Sequence, residues 1–118
     1  MTAPIPPHYS PYIKFGNLIF TSGQLPLISR NPKRAIEGIE AQTLLCLEKV
    51  EQLLEKEGLT RKDVIKTTAF IADVADWGKV NQVYADFFGD HKPARSIIPT
   101  KTLNYGCLIE IEAIAGKL

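Results

Sequence analysis

The chain has 118 residues, of which 45% are hydrophobic and 23% are charged, and its formal net charge is +1. This size predicts a single domain over residues 1–118, and the balanced charge provides no long-range attraction for a nucleic-acid backbone. No apolar run reaches the roughly 18 residues of a membrane-spanning helix, and the N-terminus lacks the basic and apolar regions of a secretory signal.

The N-terminal third predicts an extended arm followed by paired strands. Four prolines among the first eleven residues favour an arm that lies extended over a surface. Residues 12–23 predict two short strands around a tight turn at Gly16-Asn17, because apolar residues flank this turn signal on both sides. Residues 26–38 are polar and interrupted by proline, so they are predicted to form a loop.

Two amphipathic helices, with a strand between them, are predicted in the middle of the chain. Apolar residues spaced by three and four positions indicate a helix over residues 39–57. Residues 60–63 predict a capped turn, and the β-branched residues of 64–72 predict a strand. Asp76 can cap a second helix that ends at Gly89. The apolar stripe of the second helix consists of Trp77, Val80, Tyr84, Phe87 and Phe88.

Two final strands are predicted over residues 94–99 and 107–115, joined by a turn at 102–106. The order ββ-α-β-α-ββ predicts an α+β fold in which both helices pack on one face of a mixed sheet. Alternation divides the last strand into a small aliphatic side, which suits contact with the helices, and a mixed side. The aliphatic side has Ile109, Ile111, Ala113 and Ala115, and the mixed side has Leu108, Glu110, Glu112 and Ile114.

The mixed side of the last strand is too apolar for open solvent and too charged for a dry core. It therefore predicts a closed homo-oligomer whose subunit interface encloses polar pockets.

Cys46 and Cys107 lie in predicted regular elements without CxxC or metal-ligand spacing, so they are interpreted as buried free thiols. Free thiols indicate a reducing compartment, and a cytoplasmic location is expected.

Arg95 lies in the mostly apolar segment 93–99, with Ile97 on its side of the strand. A guanidinium cannot lose its proton, so in such a strand it requires an anion. If the last two strands form a hairpin, Arg95 lies roughly opposite Glu110. Its partner is then Glu110, Glu112 or the carboxylate of a small ligand, which leaves a structural ion pair and a ligand clamp as alternatives.

Glu110 is a candidate acid or base because desolvation in a half-dry site would raise its pKa and suit it to handle a water molecule. An interface salt bridge is the structural alternative. Glu112, on the same side of the strand, is the competing candidate for the catalytic role.

The other polar residues give weaker signals. His8 and His91 have no partners at metal or triad spacing and are expected to be exposed, and Ser22 lacks the GxSxG pattern of a nucleophile. Gly23 could allow close approach of a ligand or a neighbouring chain, and Tyr9 could pack the arm or cover a pocket. The sequence contains no P-loop, no GxGxxG motif and no metal cluster.

Four segments together resemble a known family. In order, they are 16-GNLIFTSGQLPL-27, 66-KTTAFIADVADWGKVNQVYADFFGDH-91, 93-PARS-96 and 108-LIEIEAIA-115. They resemble the RidA/YjgF family of reactive-intermediate deaminases over nearly the whole chain. The resemblance implies a chorismate-mutase-like fold and a homotrimer, with a central barrel of sheets, outer helices and a pocket in each cleft between subunits.

The resemblance also implies an activity, the cofactor-free hydrolysis of enamine and imine intermediates such as 2-aminoacrylate to 2-keto acids and ammonia. One alternative is a trimeric sensor or binding protein for small acids that lacks turnover. Another is the ribonuclease or translation-inhibitor role attributed to some relatives, which near-neutral charge and the lack of an aromatic and basic stripe disfavour.

By the same resemblance, Arg95 binds the substrate carboxylate and Glu110, the first glutamate of the EIE pair, activates water. Ile97 is a departure, because the ARSC motif of the family has a cysteine at this position. The larger apolar side chain is expected to affect substrate preference and rate. The other pocket residues that the resemblance assigns are Tyr9 (with Tyr12 as the fallback), Ser22, Gly23 and Asn81.

Overall fold

Seven strands and two α-helices form the fold within residues 4–117, the part of the chain that this structure, a computed structural model, describes. The strands are β1 (Tyr12–Phe15), β2 (Leu18–Thr21), β3 (Leu27–Arg30), β4 (Lys33–Ala35), β5 (Val64–Ile71), β6 (Ala94–Pro99) and β7 (Ile109–Gly116). The helices are α1 (Ile39–Glu55) and α2 (Trp77–Phe88). The predicted helices and main strands are confirmed, although α1 ends at Glu55 rather than at residue 57.

The main sheet has five strands in the order β1-β2-β7-β5-β6. β5 and β6 run parallel, and the other neighbours run antiparallel. The mixed sheet is confirmed, but the hairpin between the last two strands is wrong, because β5 lies between β6 and β7. Helix α2 forms the crossover that parallel strands require, so it carries the chain from β5 to the outer edge of the sheet.

Both helices pack on one face of the main sheet, as predicted. The aliphatic side of β7 is almost fully buried against them, and the mixed side lies on the opposite face. Cys46 and Cys107 are buried and free, which confirms their interpretation. The buried hydrophobic residues that the helices contribute are Ile39, Cys46, Leu47, Val50 and Leu54 from α1 and Val80, Tyr84, Phe87 and Phe88 from α2.

Residues 26–38 form a two-stranded antiparallel hairpin, β3–β4, so the prediction of a loop is wrong. Lys49 of α1 anchors the hairpin, since its Nζ donates 2.9 Å hydrogen bonds to the carbonyl oxygens of Leu25 and Leu27. Polar residues and proline interrupt this segment, and it therefore lacks the apolar alternation that predicts a strand.

The start of α2 also differs from the prediction. Asp76 precedes the helix, but its side chain makes no capping hydrogen bond. The carboxylate of Asp73 accepts instead from the backbone N–H of Ala75, in the short 3₁₀ turn before α2.

Neither helix, nor any other within residues 4–117, is long and apolar enough to cross a membrane.

Gln42 connects three parts of the fold through hydrogen bonds of its buried side chain. Its side chain is 4% exposed. Its Nε2 donates to the Ile36 carbonyl oxygen at 2.9 Å, and its Oε1 accepts from the Leu108 N–H at 2.8 Å. Gln42 thus joins the hairpin, α1 and the entry to β7 at backbone groups that no strand pairing satisfies.

We expect Gln42→Ala to lower the free energy of unfolding by about 2–4 kcal/mol. Two half-buried backbone groups lose their partners, each at about 1–2 kcal/mol, the lower part of the range for an unsatisfied buried group. Gln52→Ala, on the exposed side of the same helix, is the control and is expected to change stability by less than about 0.5 kcal/mol. Urea denaturation measures both variants, and equal effects would contradict the role assigned to Gln42.

Candidate functional site

The predicted site residues fall into two groups on opposite faces of the main sheet. Register partners on neighbouring strands share a face, so the strand ladders assign a side to each residue. Arg95 pairs with Thr67 and, through it, is level with Ala113, all on the face that the helices cover. Glu110 pairs with Phe70 on the other face, which we call the open face.

Arg95 is held by side chains of α2. Its Nη1 donates a 3.1 Å hydrogen bond to Oδ1 of Asn81. Its Cζ lies 4.8 Å from the ring centre of Tyr84 and 5.4 Å from that of Trp77, both within the range of cation–π attraction. We call Arg95, Asn81, Tyr84 and Trp77 the arginine seat.

No carboxylate within residues 4–117 lies at ion-pair distance from Arg95. The structural ion pair with Glu110 of the same chain is therefore wrong. Asn81 accepts from one of the five N–H donors of the guanidinium, and the aromatic rings accept none of the others in a regular hydrogen bond. The remaining donors suit bidentate binding of a carboxylate.

Sequence reasoning assigned Trp77 and Tyr84 only to the apolar stripe of the second helix. Their spacing from Asn81, four residues before and three after, places all three on one helix face. Because Asn81 was assigned to the pocket, its neighbours on the same helix face, Trp77 and Tyr84, could also have been predicted to lie at the site. Ile97 points to the same face as Arg95, packs against the core and provides an apolar wall beside the seat.

Glu110 lies half-buried on the open face of β7, and Gly23 makes this position possible. A Cβ at Gly23 would lie 2.5 Å from Oε2 and 2.8 Å from Cδ of Glu110, so any side chain there would displace the carboxylate. Burial raises the pKa of Glu110, and the charge of Glu112 raises it further. Since no cation of the described chain forms an ion pair with Glu110, its carboxylate is a stronger base than an ordinary glutamate.

Ser22 tethers the N-terminal arm close to Gly23. The Ser22 hydroxyl donates to the Ser10 carbonyl oxygen at 2.6 Å, and the Ser22 backbone N–H donates to the Pro11 carbonyl oxygen at 2.9 Å. Tyr9 precedes this attachment and is 67% exposed. Tyr12, the fallback for Tyr9, donates its hydroxyl to Glu57 at 2.9 Å. Tyr9 therefore remains the more available tyrosine of the two.

A single chain does not bring Arg95 and Glu110 together. Arg95 of β6 is level with Ala113 of β7, which is three residues from Glu110, and β5 lies between β6 and β7. Sheet spacings then separate the Cα atoms of Arg95 and Glu110 by on the order of 14 Å, with the side chains on opposite faces.

A groove of about 380 Å³ between α1 and α2 has Leu44 and Phe87 in its wall but none of the predicted site residues.

His91 is half-buried, so the expectation of an exposed side chain is wrong. Its Nε2 lies 2.7 Å from the carbonyl oxygen of Val64, whereas His8 is exposed as expected. Over residues 4–117, no three His, Cys, Asp or Glu side chains are arranged to hold a metal ion. The described residues thus offer an arginine, a basic carboxylate and hydroxyl groups for chemistry.

Comparisons with known proteins extend over the whole described chain. The family model described as Endoribonuclease L-PSP matches residues 2–117. A RutC family protein of Pyrococcus horikoshii is 43% identical over 114 residues, which cover 97% of this chain and 90% of that protein. The 2-iminobutanoate/2-iminopropanoate deaminase of Escherichia coli K12 is 38% identical over 120 residues, which cover 95% of this chain and 91% of that protein.

A solved structure shows the same fold. The crystal structure of E. coli TdcF with bound serine matches with a TM-score of 0.86 and 35% identity, and the match covers 98% of this chain and 91% of that one. The similarity therefore includes the strand order and the helices, beyond the short motifs.

We expect Gly23→Ala to push the Glu110 carboxylate out of its half-buried position, because the added methyl group overlaps Oε2. The displaced carboxylate is better hydrated, so its pKa is expected to fall toward the ordinary value of a glutamate. NMR titration of the side-chain carboxyl ¹³C resonance measures this pKa. Gly78→Ala, where a Cβ meets no atom within 4 Å, is the control. An unchanged Glu110 pKa in Gly23→Ala would contradict the contact.

Proposed function

The chain belongs to the RidA/YjgF family, and we propose that it hydrolyses reactive 2-enamine and 2-imine acids, such as 2-aminoacrylate, to 2-keto acids and ammonia. One relative is named a 2-iminobutanoate/2-iminopropanoate deaminase. The observation that carries the proposal is the arginine seat, because it holds a cation with free donors at the position of the ARS motif.

Arg95 binds the substrate carboxylate through two charge-assisted hydrogen bonds, which contribute about 1.5–3 kcal/mol each. Asn81 accepts from Nη1 and thereby fixes the direction of the remaining donors. Ile97 forms the apolar wall beside the bound acid. Because isoleucine is larger than the cysteine of the ARSC motif, this wall favours substrates with small side chains.

Glu110 of a neighbouring copy completes the site in the proposed homotrimer. The open face presents Phe20 and Ile98, which are 40% and 42% exposed, and contact between three such faces would bury them. β6 has a described partner strand on one side only, so the edge with Arg95 is available to a second copy. Each cleft then contains one arginine seat and one Glu110.

The Ser22–Gly23 segment shapes the side of the cleft that contains Glu110. Gly23 leaves space for the carboxylate, and Ser22 holds the arm at Ser10, the residue that follows Tyr9. Tyr9 then covers the bound substrate and excludes bulk water.

The reaction consumes one water molecule and releases one ammonia. The enamine tautomerises to the imine, and water held by Glu110 attacks the imine carbon while Glu110 accepts a proton. Glu110 then passes this proton to the nitrogen of the carbinolamine. The hydroxyl proton then moves through Glu110 to the same nitrogen, so the C–N bond breaks, ammonia leaves and the C=O bond of the keto acid forms. Positioned proton transfer contributes about 10²–10⁴-fold, which suffices for imines because they already hydrolyse in water.

A second candidate function is a trimeric binding protein for small carboxylates. Ile97 favours this binding function, because isoleucine in place of the cysteine of the ARSC motif changes the wall beside Arg95 while the arginine seat remains intact. Calorimetric binding of 2-keto acids without ammonia release from 2-aminoacrylate would support this candidate over the hydrolase.

We expect Arg95→Ala to lower kcat/KM by about 10²-fold or more, since it removes two charge-assisted hydrogen bonds. Arg95→Lys is expected to be intermediate, because a lysine is a point charge without the bidentate fork. The assay measures 2-keto acid formed from 2-aminoacrylate that a dehydratase generates in situ, with spontaneous decay subtracted. Arg34→Ala, at an exposed arginine of β4, is the control. A wild-type rate in Arg95→Ala would rule out the clamp.

The acid limb of the pH–rate profile is expected above the ordinary range of a glutamate, because Glu110 must be ionised to act as a base and its pKa is raised. Glu112→Gln removes the neighbouring negative charge, so it is expected to lower the pKa of Glu110 and move the limb to lower pH. Glu48→Gln, exposed on α1, is the control. Full activity in Glu110→Gln with an inactive Glu112→Gln would instead assign the base to Glu112.

A further inference from the structure

We propose that Tyr84, held in place by Thr67, is a positioning residue that orients the Arg95 guanidinium for a carboxylate ligand. The proposal rests on the carboxylate clamp of the proposed function and is independent of turnover.

Tyr84 connects α2 to the strand beside Arg95. Its hydroxyl lies 2.9 Å from Oγ1 of Thr67, and the two residues are 5% and 0% exposed. Thr67 is also the partner of Arg95 in the parallel ladder between β5 and β6. The hydrogen bond therefore fixes the helix against the backbone position from which Arg95 extends.

The hydrogen bond between the hydroxyl groups of Tyr84 and Thr67 orients the Tyr84 side chain more than it stabilises the fold. A phenylalanine would fill nearly the same volume without a polar atom, and burial of the hydroxyl raises the pKa of Tyr84 to about 12. Replacing two paired buried hydroxyls by apolar groups of the same shape is often nearly neutral for stability. What the pair adds is a fixed position for the aromatic ring.

The fixed ring in turn restricts the guanidinium. The Cζ of Arg95 lies 4.8 Å from the ring centre of Tyr84, while Nη1 donates to Asn81. These contacts restrict the plane of the guanidinium from two sides. Bidentate binding requires two N–H groups to point at the ligand oxygens together, so a loss of orientation weakens binding even though the charge remains.

Tyr84→Phe keeps the ring but removes its link to Thr67, and Thr67→Val removes the same link from the other side. Each is expected to raise the Kd for 2-oxobutanoate by about 3–10-fold and KM by a similar factor, with kcat within about twofold. The double variant is expected to match the single variants, because the shared hydrogen bond is lost only once.

Trp77 provides a direct readout of binding. It is the only tryptophan of the chain and lies 5.4 Å from the Arg95 guanidinium, so a bound carboxylate is expected to change its fluorescence. Titration of the full-length protein with 2-oxobutanoate gives the Kd without turnover. 2-Butanone, which lacks the carboxylate, is the ligand control.

Thr43→Val is the matched protein control. It removes a buried threonine hydroxyl that donates to the Ile39 carbonyl oxygen at 2.7 Å, inside α1 and outside the arginine seat. Melting temperatures of all variants separate loss of stability from loss of affinity. If Tyr84→Phe and Thr67→Val raise the Kd no more than Thr43→Val, the positioning role is overturned.

Two further outcomes separate this proposal from the proposed function. Failure of the wild-type protein to bind 2-oxobutanoate would overturn both the clamp and the role of Tyr84. Binding that weakens in the Tyr84 and Thr67 variants, without release of ammonia from 2-aminoacrylate by the wild type, would support the positioning role and overturn the hydrolase.

Discussion

Alternation of side chains along the strands puts Arg95 and Glu110 on opposite faces of one sheet, and the proposed site depends on this constraint. The register of β5 with its two neighbours fixes both assignments, because a shift by one residue would exchange the faces of a whole strand. The cation and the base are therefore two half-sites of one chain. A cleft that uses both requires a second copy, and this requirement supports the proposed trimer.

Within one chain, separate elements position the side chains of the two half-sites, Arg95 and Glu110. On the helix face, α2 holds Arg95 with an amide and two aromatic rings but supplies no anion, which leaves the charge for a ligand. On the open face, Gly23 leaves room for a half-buried Glu110, whose raised pKa makes it a better base. In the proposed function, binding and proton transfer are thus assigned to different elements, and an assembly that aligns two copies would bring them together.

Local periodicity predicted the helices, the main strands and the two sides of β7, because these features depend on residues close in sequence. It missed the β3–β4 hairpin, which lacks apolar alternation, and it placed β6 beside β7, since sequence order does not determine strand order. Gly23 was predicted to allow a close approach, but its contact with Glu110 could not be predicted, because Glu110 comes from a distant part of the chain. Tyr84 was assigned to the core alone because the apolar stripe was interpreted without its helical spacing from Asn81, which indicates that Tyr84 also lies beside the pocket.

Subunit complementation tests the shared site most directly. Arg95→Ala and Glu110→Gln are unfolded together in equal amounts and refolded, and deaminase activity is compared with that of each variant refolded alone. In randomly assembled trimers, about a quarter of the clefts join an intact Arg95 to an intact Glu110 of another copy. The account predicts recovery of about a quarter of the wild-type rate. A mixture no more active than the separate variants would contradict a site shared between copies.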